Sequence, residues 1–123
     1  MSKQDRPTIT IDYRRNLIRI HKNTLHLLSD PEYIELLVNP ESSTLAIRPS
    51  DGNSDRAHIT KIDHVKSMEI QSAYLFRSLK TVHSGFETGK SYRLFGILNT
   101  VDGIVRFPLK DANELKRSED KLL

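Results

Sequence analysis

The sequence predicts a mainly β protein with two short α-helices, an α+β chain in which two related units close a single β-barrel. Three observations carry that expectation. Short runs of alternating apolar and polar residues are bounded by turn formers, the period lengthens to that of a helix in two places, and the same order of elements returns after a polar connector. At 123 residues the chain is long enough for one domain with a real core.

Residues 8 to 12, TITID, and 17 to 20, LIRI, read as strands joined by the polar turn YRRN. Thr8, Thr10 and Asp12 fall on one face, Ile9 and Ile11 on the other. After Ile20 the spacing of Leu25, Leu27 and Leu28 suits a short helix, stopped at Asp30 and Pro31 because proline lacks a donor and restricts its predecessor. YIELLVN and TLAIR then form a hairpin around PESS. The stretch RPSDGNSDRA is turn-rich and contains the connector, residues 50–57, so the halves run 8–49 and 58–110.

The order then restarts. HITKID is a strand ending in Asp63, SMEI a second strand, and SAYLFRSLKTVH a helix with Ser72 as its N-cap. SYRLFGIL and GIVRFPL make another hairpin around NTVDG. Residues 1–7 and 111–123 are tails, the second flexible or helical. Ile18, Ile20 and Leu25 correspond to Met68, Ile70 and Leu75 at a spacing of 50, and Asp12 corresponds to Asp63. A unit of roughly 40 to 50 residues buries too little surface alone, so the halves are expected to share one core.

Composition removes several function classes. The chain has no cysteine, hence no disulfide, thiolate metal site or cysteine nucleophile, which fits a cytoplasmic protein. No apolar run approaches the ~18 residues of a membrane span. SGFETGKS, from Ser84 to Ser91, approaches a phosphate-binding loop, but one residue is missing between Gly85 and Gly89, and a strand follows where that motif needs a helix. A glycine-rich turn is the better reading. The histidines at 21, 26, 58, 64 and 83 lack i, i+4 spacing, and no GxSxG elbow or carboxylate pair in a catalytic context occurs. The expectation is therefore a non-enzyme without cofactor or metal. Among the aromatics, Phe76, Phe86, Tyr92 and Phe107 are expected in the core. Tyr74 and Phe76 are expected on opposing sides if this segment is a strand but not if it is a helix, so local structure decides between them.

Nineteen Lys and Arg against 16 Asp and Glu give a formal charge of only +3, so distribution matters more than total. From Tyr13 to Lys22 there are Arg14, Arg15, Arg19 and Lys22 and no acid. His21 can add a further partial charge, and from Asp30 to Glu41 the sign reverses. Arginine suits phosphate because its planar fork stays charged and offers paired donors. Charged residues at a hairpin turn also keep a strand edge soluble, and both readings apply to Arg14 and Arg15. Lys61, His64 and Lys66 surround the corresponding turn of the second half, while Arg77, Lys80, Lys90 and Arg93 extend the basic set.

DYRRNLIRIHKNTLHLL and DHVKSMEIQSAYLFRSL together resemble the swapped-hairpin barrels of the AbrB/MazE type, and the tandem arrangement resembles the MraZ family. That family's pattern is Asp, three residues, Arg, an alternating strand and a proline-started short helix. Asp12 and Asp63 match it. Asn16 and Ser67 stand at the arginine positions, and Lys22 and Ser72 stand where proline is usual. The resemblance implies a DNA-binding transcriptional regulator, acting as a homo-oligomer on double-stranded DNA through the first hairpin turn. The residues expected to make contact are Arg14, Arg15 and Arg19, supported by Lys22, Lys61 and Lys66. The competing expectation is a protein-interaction module, a small inhibitor or adaptor from a mobile element, without a nucleic-acid ligand. In that case the acidic segment would be the informative face.

Overall fold

Alternation in the first two runs becomes a hairpin of β1 (Thr8–Asp12) and β2 (Leu17–His21). The computed structural model describes residues 6–62 and 67–116. After β2 come α1 (Lys22–Leu27), β3 (Tyr33–Asn39), β4 (Thr44–Ser50), β5 (His58–Ile59), β6 (Ser67–Ile70) and α2 (Ala73–Val82). The chain continues through β7 (Ser91–Phe95), β8 (Ile97–Asn99), β9 (Ile104–Pro108), one 3-10 turn at Leu109–Asp111, and β10 (Asn113–Leu115). The protein is thus mainly β with two helices. Among the described residues no helix is long and apolar enough to cross a membrane.

The strands form two antiparallel five-stranded sheets, ordered β10-β7-β1-β2-β6 and β5-β3-β4-β9-β8. Every other residue of the first sheet points to the core: Ile9, Ile11, Ile18, Ile20, Met68, Ile70, Tyr92 and Leu94. Ile34, Leu45, Ile47, Val105 and Phe107 of the second sheet complete the same cluster. Burial of this continuous apolar surface is the main stabilising term. Phe76 and Phe86 join it, while Tyr74 on the outward face of α2 is exposed; contrary to expectation the helix separates the two aromatics, because positions two apart stand about 200° apart around its axis. Ser72 caps α2 as expected, its hydroxyl accepting from the Leu75 amide at 3.2 Å.

Four further expectations are corrected. SYRLFGIL is not one strand: the chain breaks at Gly96 and passes from the first sheet to the second. A Cβ at Gly96 would lie 2.7 Å from the Phe107 ring and 2.8 Å from the Arg106 carbonyl, so only glycine allows this close crossing. Second, β4 runs on through Arg48 and Pro49 to Ser50, which shortens the connector. Pro49 lies opposite Ile34, in a position consistent with a non-hydrogen-bonded pair, where a missing N–H removes no bond to β3. Third, among the described residues of HITKID only His58 and Ile59 form a strand. Thr60 turns away with its hydroxyl donating to the Pro31 carbonyl at 2.6 Å, and Asp63 lies outside the described residues. Fourth, the tail is not free at its start: past the 3-10 turn that ends at Asp111, Asn113–Leu115 pairs with β7 and covers its outer edge.

Two registers bear on the internal correspondence. Ile18 pairs with Ile70, Arg19 with Glu69 and Ile20 with Met68, so positions matched at a spacing of 50 face one another antiparallel about Arg19 and Glu69. In the second sheet Leu45 pairs with Phe107 and Ala46 with Arg106, giving the same relation at a spacing of 60.

Candidate nucleic-acid interface

The turn between β1 and β2 is built by two residues. Asp12 accepts hydrogen bonds from the amides of Arg14 (2.8 Å) and Arg15 (3.2 Å), and Asn16 closes the turn with φ of 55°. Left-handed backbone favours asparagine among residues with side chains. Asn16 thus suits the left-handed backbone position that closes this turn. Buried Asp12 would be raised by desolvation, but bonds from Ser91 and the two amides, with the Arg14 charge, outweigh this and hold it below the ordinary carboxylate value.

Arg14 and Arg15 differ in freedom. The Arg14 Nε atom donates to Ser91 Oγ at 3.2 Å and lies 3.6 Å from Asp12 Oδ1, so its guanidinium is tethered and partly neutralised. Arg15 is exposed beside the start of α2, where it shares a shallow concavity with Gln71, Ser72 and Phe76.

Behind the turn, the outer face of the first sheet carries a row set by register: Asn113, Arg93, Thr10, Arg19 and Glu69. Two arginines thus flank Thr10 at two strand spacings, about 10 Å between backbones. Arg19 is not a free cation, since its Nη2 meets Glu69 Oε2 at 2.8 Å. Arg93 has no carboxylate partner among the described residues, and the Nε atoms of both arginines are buried without a hydrogen-bond partner there. His21 Nε2 lies 3.1 Å from Thr10 Oγ1. Burial, reinforced by Arg93 and Arg19, lowers its pKa and favours neutral imidazole. Arg6 borders the face, stacked 4.7 Å above the Phe95 ring.

The structure therefore brings Arg19 and Arg93 to one face, with Arg14 tied to its Ser91 end, while Arg15 of the same turn lies beside the start of α2. It does not bring Lys22 to the turn: Lys22 opens α1 at the opposite end of β2, about 17 Å of strand away. Lys61 follows β5, which belongs to the other sheet, and Lys66 and His64 lie outside the described residues. Arg77 borders a groove against the second sheet, and Lys90 is held by Glu87 at 2.6 Å and Glu114 at 3.3 Å. Lys90 heads a strand after a turn with Gly89 at φ of 84°, so the glycine-rich stretch makes no helix terminus. Arg93 could be weighted more heavily from sequence because Tyr92 and Leu94 bracket it and turn it outward. Arg6 had no such signal.

No protein-family model matches the chain, and searches of curated proteins and of solved structures find no match.

Proposed function

We propose that the protein binds double-stranded DNA through the outer face of its first sheet and the Tyr13–Asn16 turn, as an oligomeric regulator of transcription. The observation that supports this reading is the row in which Arg93 and Arg19 flank Thr10, with Arg14 tied to Ser91 of the same sheet and Arg15 exposed on the same turn. Both carboxylates of that face are engaged, Glu69 by Arg19 and Asp12 by the turn. A face with fixed arginines and, among the described residues, no free carboxylate attracts phosphate by counterion release, and a hairpin tip is slim enough to approach a groove. The two antiparallel correspondences, at Arg19/Glu69 and Ala46/Arg106, support a duplicated barrel of the AbrB/MraZ kind as the scaffold.

The test is fluorescence anisotropy with mixed genomic duplexes over a range of salt. Arg14→Ala/Arg15→Ala is expected to weaken binding and to flatten the log–log salt slope by about 1.8, the value for two lost phosphate contacts. Arg93→Ala is expected to flatten it by about half as much. Absence of duplex binding by the parent protein, or an unchanged slope in both variants, overturns the proposal.

A further inference from the structure

A second surface, on the other sheet, has different chemistry. A groove of about 730 Å³ runs between β3 and α2, floored by Leu36, Val38, Leu75 and Val82. One wall is the edge of β3. Main-chain groups in an extended strand alternate in direction, and the Glu32 carbonyl accepts from the Thr60 amide at 3.0 Å, away from β4. Ile34, Leu36 and Val38 share that direction. The partner strand β5 covers only Tyr33 and Ile34, so Leu36 and Val38 turn their amides and carbonyls to the groove with no strand partner among the described residues. The opposite wall is a stripe of α2, Tyr74, Arg77, Ser78 and Thr81, at the i, i+3, i+4, i+7 spacing of one helical face.

We infer that this groove takes an extended peptide segment of a partner protein, rich in carboxylates alternating with apolar residues, which adds to β3 as a strand. Strand addition derives affinity from main-chain hydrogen bonds and specificity from alternate side chains. The unpaired edge at Leu36 and Val38 supplies the first, and the apolar floor supplies the second. Charge selects the sign of the ligand. Among the described residues Arg48, Arg56, Arg77 and one carboxylate, Glu35, line the groove; Glu35 and Arg48 pair at 3.4 Å and offset one another, which leaves Arg56 and Arg77 to attract an anionic segment. A second copy of this chain is the poorer occupant, since joining two β3 edges about a two-fold would bring the arginines of both copies together. The inference stands apart from duplex binding, which uses the other sheet.

The probe is a short fluorescein-labelled peptide alternating valine and glutamate. Two comparison peptides carry lysine for glutamate or N-methyl groups on alternate residues. Anisotropy is expected to show binding of the first peptide and at least about tenfold weaker binding of both others. Amide hydrogen exchange at Leu36 and Val38 should slow on binding. Arg56→Glu/Arg77→Glu, both exposed substitutions, should lose the interaction while the amide spectrum of the protein stays folded. The inference is overturned by no binding of the glutamate peptide, by equal binding of the N-methylated or lysine peptide, or by slowed exchange at Leu36 and Val38 from raised protein concentration alone.

Discussion

Three hairpin turns of this protein share one geometry and differ in what they carry. Asp12, Asn39 and Asn99 each accept from amides inside their own turn. Asn16, Ser43 and Gly103 each close it with positive φ, of 55°, 49° and 72°. Between those ends the first turn carries Arg14 and Arg15, the second Pro40 and Glu41, the third Val101 and Asp102. Asp102 is committed to Arg106 at 2.8 Å, and Val101 is 95% exposed. The side-chain acceptor and the left-handed residue shape the turn, which leaves the residues between free to hold function. The first turn continues into a sheet face with Arg19 and Arg93, whereas the other two continue into a face whose arginines, Arg48 and Arg106, are each paired with a carboxylate, Glu35 at 3.4 Å and Asp102 at 2.8 Å.

The anchors also differ in depth. Asp12 is 3% exposed, whereas Asn39 and Asn99 lie at the surface. Replacing Asp12 with alanine leaves two turn amides and Ser91 without an acceptor. It is expected to cost about 2 to 3 kcal/mol, the upper range for a broken buried hydrogen-bonding group. Asn39→Ala and Asn99→Ala should each cost about 0.5 to 1 kcal/mol, since water replaces the acceptor. Urea unfolding of the three variants measures the contrast, and equal losses would mean that burial does not distinguish the anchors.

Next in size is Tyr13, inside the first turn. Its hydroxyl is buried without a hydrogen-bond partner among the described residues, its ring packs edge-on against Phe76 at 4.8 Å, and burial with neighbouring Tyr92 pushes its pKa up to about 12. Tyr13→Phe removes an unsatisfied polar atom and keeps the ring. It is expected to stabilise the protein by about 1 kcal/mol in the same unfolding experiment.

Acid sharpens the comparison further. The folded pKa of Asp12 lies below its ordinary value, so its stabilising contribution is present above the ordinary carboxylate range and is lost as pH falls through the lowered folded value. Stability of Asp12→Asn should be flatter with pH over that acid window.

The smallest expected effect concerns His21, whose lowered pKa reflects burial beside Arg93 and Arg19. Its stabilising contribution is lost as pH falls below the ordinary value of 6.5 towards the lowered one. A phosphate against those arginines would favour imidazolium. Duplex affinity is therefore expected to rise a few-fold between about pH 7.5 and 6, and His21→Gln should flatten the rise. Equal pH dependence of parent and variant would detach His21 from the binding face.

Local sequence by itself determined much of this protein. Alternation at Ile9, Ile11, Ile18 and Ile20 specified the hairpin and its buried face, and Ser72 specified the start of α2. These features depend on neighbours a few positions away, so their physics is written in adjacent residues. Tertiary structure decided what depends on distant chain. Gly96 crosses between sheets because Phe107 and Arg106 leave no room for a Cβ, and Asn113–Leu115 is a strand because β7 has an edge to cover. Arg19 lost its free charge to Glu69, and Arg93 gained its place beside Thr10, through registers joining strands some 50 to 80 residues apart. A strand pattern states which face a side chain takes, but only pairing states which charge stands next to it.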